Sequence, residues 1–288
     1  MCGYLGEISF KTIDKDSIIN SNKRIECRGP DSKRIENDKT ENIHYSFIFN
    51  RLSILDLTSE ADQPMRSLDG KSIVLFNGEI YNHMELRAKL ESKGVKFRTK
   101  RSDTEVVLNG LKEMGDDFVH ELRGQFAIAF FDLEKRNLTL FRDRLGQKPI
   151  FYYLNKEKII FGSNLLSIKE KSNESKISEE SLREYLETGV VQSPNTIYEK
   201  IYKLKPAEII NISFKKNEIK KISKTYWKPK DFIDEKTFKD DEFFNLFSES
   251  VHLRTLADVE VANFLSGGID STSITKNLND NGNNLNTF

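Results

Sequence analysis

Apolar positions along the chain follow two different periods, and the change of period marks the elements. Short runs such as His44–Phe49, Ile73–Phe76, Gln125–Phe131 and Leu138–Phe141 alternate apolar and polar residues or form compact apolar stretches, which predicts strands. Helical spacing lies between them. Residues 82–93 place Met84, Leu86 and Leu90 near one helical face and end at Gly94, a C-cap residue. Asp103 to Met114 puts Val106, Val107, Leu108 and Leu111 on one broad face and stops at Gly115. Strands with interspersed helices over roughly the first 200 residues predict layered α+β packing.

The pattern then shifts. Residues 169–178 are polar and charged, and Ser213 to Asp241 is Lys-rich with little periodicity, which predicts a connection between domains. Beyond it, Glu242 to Arg254 reads as a helix, Val259 to Leu265 as a strand, Ser266 to Asp270 as a glycine-containing turn and Ser271 to Leu278 as a helix. Asn279 to Phe288 is Asn-rich, with no element after it to pair with. The expected division is a domain over 2–212, a linker over 213–241 and a fragment over 242–288. A lone strand–loop–helix cannot bury both its faces, so this last piece reads as unfinished.

Composition narrows the class. At 288 residues, about two domains of the usual 100–200 residues are expected. Lys+Arg and Asp+Glu number 45 each, so the net charge is zero, which argues against an extended nucleic-acid surface. The longest apolar run, Phe126 to Phe131, is far short of the ~18 residues a membrane span needs. The N-terminus, MCGYLGEISF, lacks the basic and apolar regions of an export signal, so a cytoplasmic protein with two free thiols, Cys2 and Cys27, is expected. The four histidines stand singly, and no metal site is predicted for them.

Cys2 is chemically special. Once the initiator Met is removed, one residue carries both a thiol and a free α-amine. With a reference pKa of about 7.7–8.0, roughly one such amine in seven is neutral at pH 7 and able to take a proton. Nucleophile and general base are then held together by covalent geometry. Taken alone, Cys2 reads equally as an ordinary second residue.

Its company decides. RGPD at 28–31, NRLSILDL at 50–57, Gln63-Pro64, NGEIYN at 77–82, SDTE at 102–105, LRGQFAIAFFD at 122–132 and RDRLGQKPIFY at 142–152 follow Met-Cys-Gly in order. In this register they resemble the class II glutamine amidotransferase domain of glutamine-hydrolysing asparagine synthetases. The resemblance implies an N-terminal-nucleophile hydrolase fold, an αββα sandwich, over 2–212. It also implies roles. Cys2 attacks the carboxamide of glutamine, while Asn77 through its amide and Gly78 through its N–H hold the oxyanion. Arg51 pairs with the substrate carboxylate, Asp103 holds its ammonium, and Glu79 lines the pocket. Ser102-x-x-Glu105 also fits a helix capping box, which would make Asp103 an N-terminal acid. Arg142 to Pro149 is expected to be a salt-bridged strand-to-turn junction and receives no catalytic role.

SGGIDS at 266–271, between a predicted strand and helix, suits an anion, because small residues let backbone N–H groups wrap it at a helix N-terminus. After Ala257-Asp258-Val259 it resembles the PP-loop of ATP pyrophosphatases, the start of an α/β domain. Ser266, Gly267, Gly268, Asp270 and Ser271 then carry over as the ATP site, with Mg near Asp270 and Ser271, although Asp270 also fits a helix N-cap. ATP and Mg serve that second domain, and glutamine hydrolysis needs no cofactor. Glu260, Ala262 and Asn263 stand where that family usually has Pro, Gly and a small residue, and Leu145 replaces a usual aromatic. The resemblance implies glutamine, aspartate and ATP as small-molecule substrates, no nucleic acid or membrane, and leaves a homodimer open. The 288 residues are expected to support at most glutaminase activity. Two other expectations remain: the same glutaminase serving another carboxylate, such as a sugar uronic acid, or a non-catalytic glutamine-binding partner subunit.

Overall fold

The computed structural model describes residues 2–215, 217–233, 239–280, 282 and 286–288. They form two units: residues up to Ser53 with Thr58–Lys228, and Ile54–Leu57 with Pro229–Phe288.

The first unit begins with β1 (Gly3–Ser9), α1 (Lys15–Asn22), β2 (Ser32–Thr40) and β3 (Ile43–Arg51). Next come β4 (Met65–Arg66), β5 (Ser72–Ile80), α2 (His83–Glu91), α3 (Asp103–Met114), β6 (Gly124–Asp132) and β7 (Asn137–Arg142). The chain continues through β8 (Phe151–Leu154), β9 (Lys158–Gly162), α4 (Leu165–Ser172), α5 (Glu179–Thr188) and β10 (Ile201–Lys203) to the hairpin β11 (Glu208–Lys215) and β12 (Glu218–Thr225). Two antiparallel six-stranded sheets result, ordered β10-β8-β9-β1-β3-β2 and β12-β11-β7-β6-β5-β4.

Strand period 2 sorts the apolar residues into three layers. Tyr4, Ile8, Tyr45, Phe47, Phe49, Ile73, Leu75, Ala127, Ala129 and Phe131 meet between the sheets. The alternate residues Val74, Phe76, Phe126 and Ile128 face away and pack with α2 and α3 through Leu86, Leu90, Val106 and Val107. On the opposite outer face, Leu5, Ile48 and Ile160 meet Ile18 of α1 and Ile168 of α4. The order is helix, sheet, sheet, helix, as the motifs imply.

Helix α3 has the expected bounds. Ser102 caps it by accepting from Glu105 N at 3.4 Å, and Gly115 follows it at φ 64°. The expected linker over 213–241 is a different matter. Residues 213–215 and 218–225 lie in β11 and β12, and the first unit runs to Lys228. As an edge strand with one solvated face, β12 carries lysines and few apolar residues, so the sequence hides its period. Lys216 and residues 234–238 of that span lie outside the described residues, as does Met1.

In the second unit, α6 (Asp240–Leu253) and α7 (Ile269–Asp280) accompany β13 (Ala262–Asn263) and β14 (Asn286–Thr287), which pair in parallel. The strand expected over 259–265 is only two residues long, because β14 alone pairs with it. The Asn-rich tail supplies that partner; its residues 281 and 283–285 lie outside the described residues. Ile54 and Asp56 join this unit through Asp258, whose N–H donates to Ile54 O and whose carboxylate accepts from Asp56 N.

Phe47 sits centrally between the sheets, its ring 5.2 Å from Tyr45, 6.0 Å from Phe131 and 5.9 Å from Phe161. Phe47→Ala is expected to lower stability by about 3–5 kcal/mol, read as the urea midpoint at unchanged m.

Candidate active site

The alternation that builds the core also aims the polar residues. Cys2 continues the inward-facing series of Tyr4 and Ile8, and it packs against the inter-sheet core. Arg51 continues Tyr45, Phe47 and Phe49, while Asn77 and Glu79 continue Ile73 and Leu75. Gly3 pairs with Asn50, so Cys2 and Arg51 stand one position further, at the same end of the sandwich.

The Cys2 thiol is 3.6 Å from Leu52 O, to which it donates, and accepts from Leu52 N at 3.4 Å. Arg28 fixes the main chain there, donating from Nε to Cys2 O at 3.0 Å. Burial pushes the thiol above its ordinary value, while the Leu52 backbone and the Arg51 charge pull the other way. It is therefore a protonated thiol at neutral pH, and ionisation needs a base. Arg51 is buried, and its Nη1 donates to Thr58 O at 2.8 Å and to Asp62 Oδ1 at 2.9 Å. Asp62 thus locks the guanidinium in place, a partner that the sequence reading did not single out.

Asn77 is 1% exposed, and its Nδ2 has no hydrogen-bond partner. Leaving a buried donor unpaired costs about 1–3 kcal/mol, so the site holds a ready donor. Gly78 pairs with Phe126 across the sheet. A Cβ at 78 would stand 2.1 Å from Gln125 O and 2.8 Å from Phe126 Cα. The glycine is thus required by the neighbouring strand, a closer constraint than approach to a substrate.

Asp103 opens α3 and turns its carboxylate to Ile80 N at 3.1 Å. The capping reading of SDTE holds in part: Ser102 is the cap, yet the Glu105 carboxylate turns to Arg98 N and Thr99 rather than back to the cap. Burial first raises the Asp103 carboxyl above the usual range. Burial, and then Asp103, push Glu79 up to about 8, opposed by Lys148. Two carboxyls near one another and partly removed from water oppose each other's ionisation.

The 142–149 junction differs from the expected salt bridge. The Arg142 guanidinium donates to three main-chain carbonyls, those of Lys148 (3.0 Å), Leu204 and Gly146. Buried Asp143 accepts from the N–H groups of Phe126, Leu145, Gln147 and Lys148 at 2.9–3.2 Å. The turn is closed by backbone groups, and it presents Lys148, 8% exposed, toward Glu79. Sequence reasoning passed over Asp143 and Lys148; a lysine inside a junction motif was the only signal. Leu145, the departure from the usual aromatic, points to solvent at 67% exposure.

In the second unit, Ser266, Gly267 and Gly268 precede α7, and Asp270 and Ser271 lie in its first turn. Gly268 N donates to Ser266 Oγ at 3.4 Å, and Ser266 Oγ lies 3.1 Å from Ser271 Oγ. Gly267 has φ +82°, a backbone conformation that favours glycine, and lies in open space.

The chain matches the glutamine amidotransferase domain family over residues 1–227 and the asparagine synthase family over 242–288. It is 34% identical to asparagine synthetase [glutamine-hydrolyzing] 1 of Bacillus subtilis, over 95% of this chain and 43% of that protein. It is also 34% identical to asparagine synthetase [glutamine-hydrolyzing] 2 of Bacillus subtilis, over 87% of this chain and 34% of that protein. The chain spans about half the length, or less, of the curated relatives it matches. Among solved structures, it resembles glutamine phosphoribosylpyrophosphate amidotransferase from B. subtilis at TM-score 0.55 and 15% identity, over 100% of this chain and 65% of that one. That likeness is one of fold, and it agrees with the helix–sheet–sheet–helix order described above.

Gly78→Ala is expected to lower stability by about 1–3 kcal/mol, because strand backbone has to move to admit the methyl. Urea unfolding measures it, and a neutral result would contradict the close packing at Gln125 O.

Proposed function

This chain belongs to the glutamine amidotransferase domain family, and from that premise we propose that its first unit hydrolyses glutamine to glutamate and ammonia. The buried Nδ2 of Asn77, without a hydrogen-bond partner among the described residues, carries the reading. The Cys2 sulfur attacks the carboxamide carbon, and the oxygen gains negative charge within reach of Asn77 Nδ2 and Gly78 N–H. A preorganised donor of this kind stabilises the oxyanion without reorganisation. Arg51, held by Asp62, takes the substrate carboxylate, and Glu79 with Asp103 takes the ammonium. After Met1 is removed, the α-amine of Cys2 accepts the thiol proton and returns it to the departing ammonia. Water then frees glutamate from the thioester.

The second unit supports an ATP-dependent use of that ammonia. Ser266, Gly267, Gly268 and Ser271 would hold the phosphates, with Asp270 toward Mg, and ATP when bound would activate a carboxylate for amination. The relatives' names favour aspartate as that carboxylate and asparagine as the product. Two free cysteines suit a reducing compartment such as the cytoplasm.

Cys2→Ala is expected to abolish glutamate release, and Asn77→Ala to lower kcat about 10²–10³-fold with KM nearly unchanged. A Cys2→Ala protein that still hydrolyses glutamine would sink the nucleophile assignment. The Glu79–Asp103 pair adds a pH dependence. Below pH 8 the pair holds a proton that the substrate ammonium must displace. KM for glutamine is therefore expected to fall as pH rises from 6 to 8, by up to about tenfold per unit.

A further inference from the structure

Lys148 is nine-tenths buried, at 8% exposure, yet its ammonium has no hydrogen-bond or ion-pair partner among the described residues. Its main chain is held from both sides: Lys148 N donates to Asp143 Oδ2 at 2.9 Å, and Lys148 O accepts from Arg142 Nε at 3.0 Å. Asp143 is itself tied to β6, whose Phe126 N donates to its carboxylate and whose Phe126 O accepts from Asp143 N. Phe126 in turn pairs with Gly78. This chain of backbone bonds carries the lysine to the strand next to Glu79, whose carboxylate also has no hydrogen-bond partner among the described residues. The lysine's stem is enclosed with no carboxylate in contact among the described residues, and the 142–149 motif that holds it has no part in the chemistry above.

Resting on the glutaminase reading, we propose that Lys148 is a positioning residue: its ammonium draws Glu79 into the carboxylate form, so that Glu79 and Asp103 together grip the α-ammonium of the substrate. The charges that act on Glu79 are Asp103, which opposes ionisation, and Lys148 and the chain's positive amino terminus, which favour it. The charges around Lys148 are Glu79 first, then Arg28, Asp143 and Cys2. Burial lowers the lysine below its ordinary value, and Glu79 is the carboxylate that most favours its charge. Neither group closes on the other to contact, so the pair acts across a gap, and the lysine's charge eases the proton from Glu79 as the ligand's ammonium arrives.

Lys148→Met removes the charge while keeping an unbranched side chain. The expected result is a KM for glutamine about tenfold higher at pH 7, with kcat within about twofold, and a gap that narrows to about twofold near pH 9, where Glu79 ionises unaided. Lys148→Arg is expected to restore most of the KM. A KM ratio that is the same at pH 7 and pH 9, an unchanged KM, or a loss confined to kcat would overturn the proposal. Lys148→Gln replaces the Met variant if circular dichroism shows that one unfolded. The wild type separates this proposal from the reading beneath it. If wild-type protein releases no glutamate, or Cys2→Ala protein still does, the glutaminase reading fails. If those controls behave and Lys148→Met keeps its KM, only the lysine assignment fails.

Discussion

Two sheet faces about 10 Å apart exclude water only when every second side chain of each strand is apolar and turned inward. That constraint governs the first unit. Inward residues of β1, β3, β5 and β6 meet between the sheets, while their alternates are covered by α2 and α3 on one side and α1 and α4 on the other. The same alternation, run one step past the apolar stretch, turns Cys2, Arg51, Asn77 and Glu79 toward a common end. A one-residue slip of any strand would send its functional side chain to the wrong layer, so the core's register and the site's geometry are one specification.

At that end the molecule keeps groups that a purely structural core would eliminate. Asn77 has a buried amide without an acceptor among the described residues, Lys148 a mostly buried side chain with no anion in contact among them, and Glu79 and Asp103 are two carboxyls that oppose each other's ionisation. Each is unfavourable on its own. Under the proposed glutaminase reading, Asn77 would meet the carboxamide oxygen of an amino acid amide, Glu79 and Asp103 its ammonium, and Arg51 its carboxylate. The strain stays local, because the layers around it are well packed.

Much of this could be read from residue order, and the exceptions have physical causes. Helix α3 was legible to its ends, since twelve residues with one apolar face lie between a serine cap and a glycine. The central strands were legible because both sides of each are buried. Edge strands β2 and β12 were not, as one polar face and hydrogen bonding on one side leave almost no apolar period. The proposed site residues were drawn from motifs in order. The supports were not, because Asp62 acts on Arg51 across a loop and Asp143 works through main-chain N–H groups that no side-chain pattern announces. Lys148 escaped notice too: its meaning lies in Glu79, far away in the chain.

The Asp143 turn has one further consequence. Its carboxylate takes main-chain N–H groups, and Arg142 takes main-chain carbonyls, so the loop's shape makes no demand on the side chains of Leu145 and Gln147. Arg144 is different, since its guanidinium holds Leu122 O and His120 O. A substitution at 145 or 147 would therefore change the surface of the tip while leaving the main chain of Lys148 where it is.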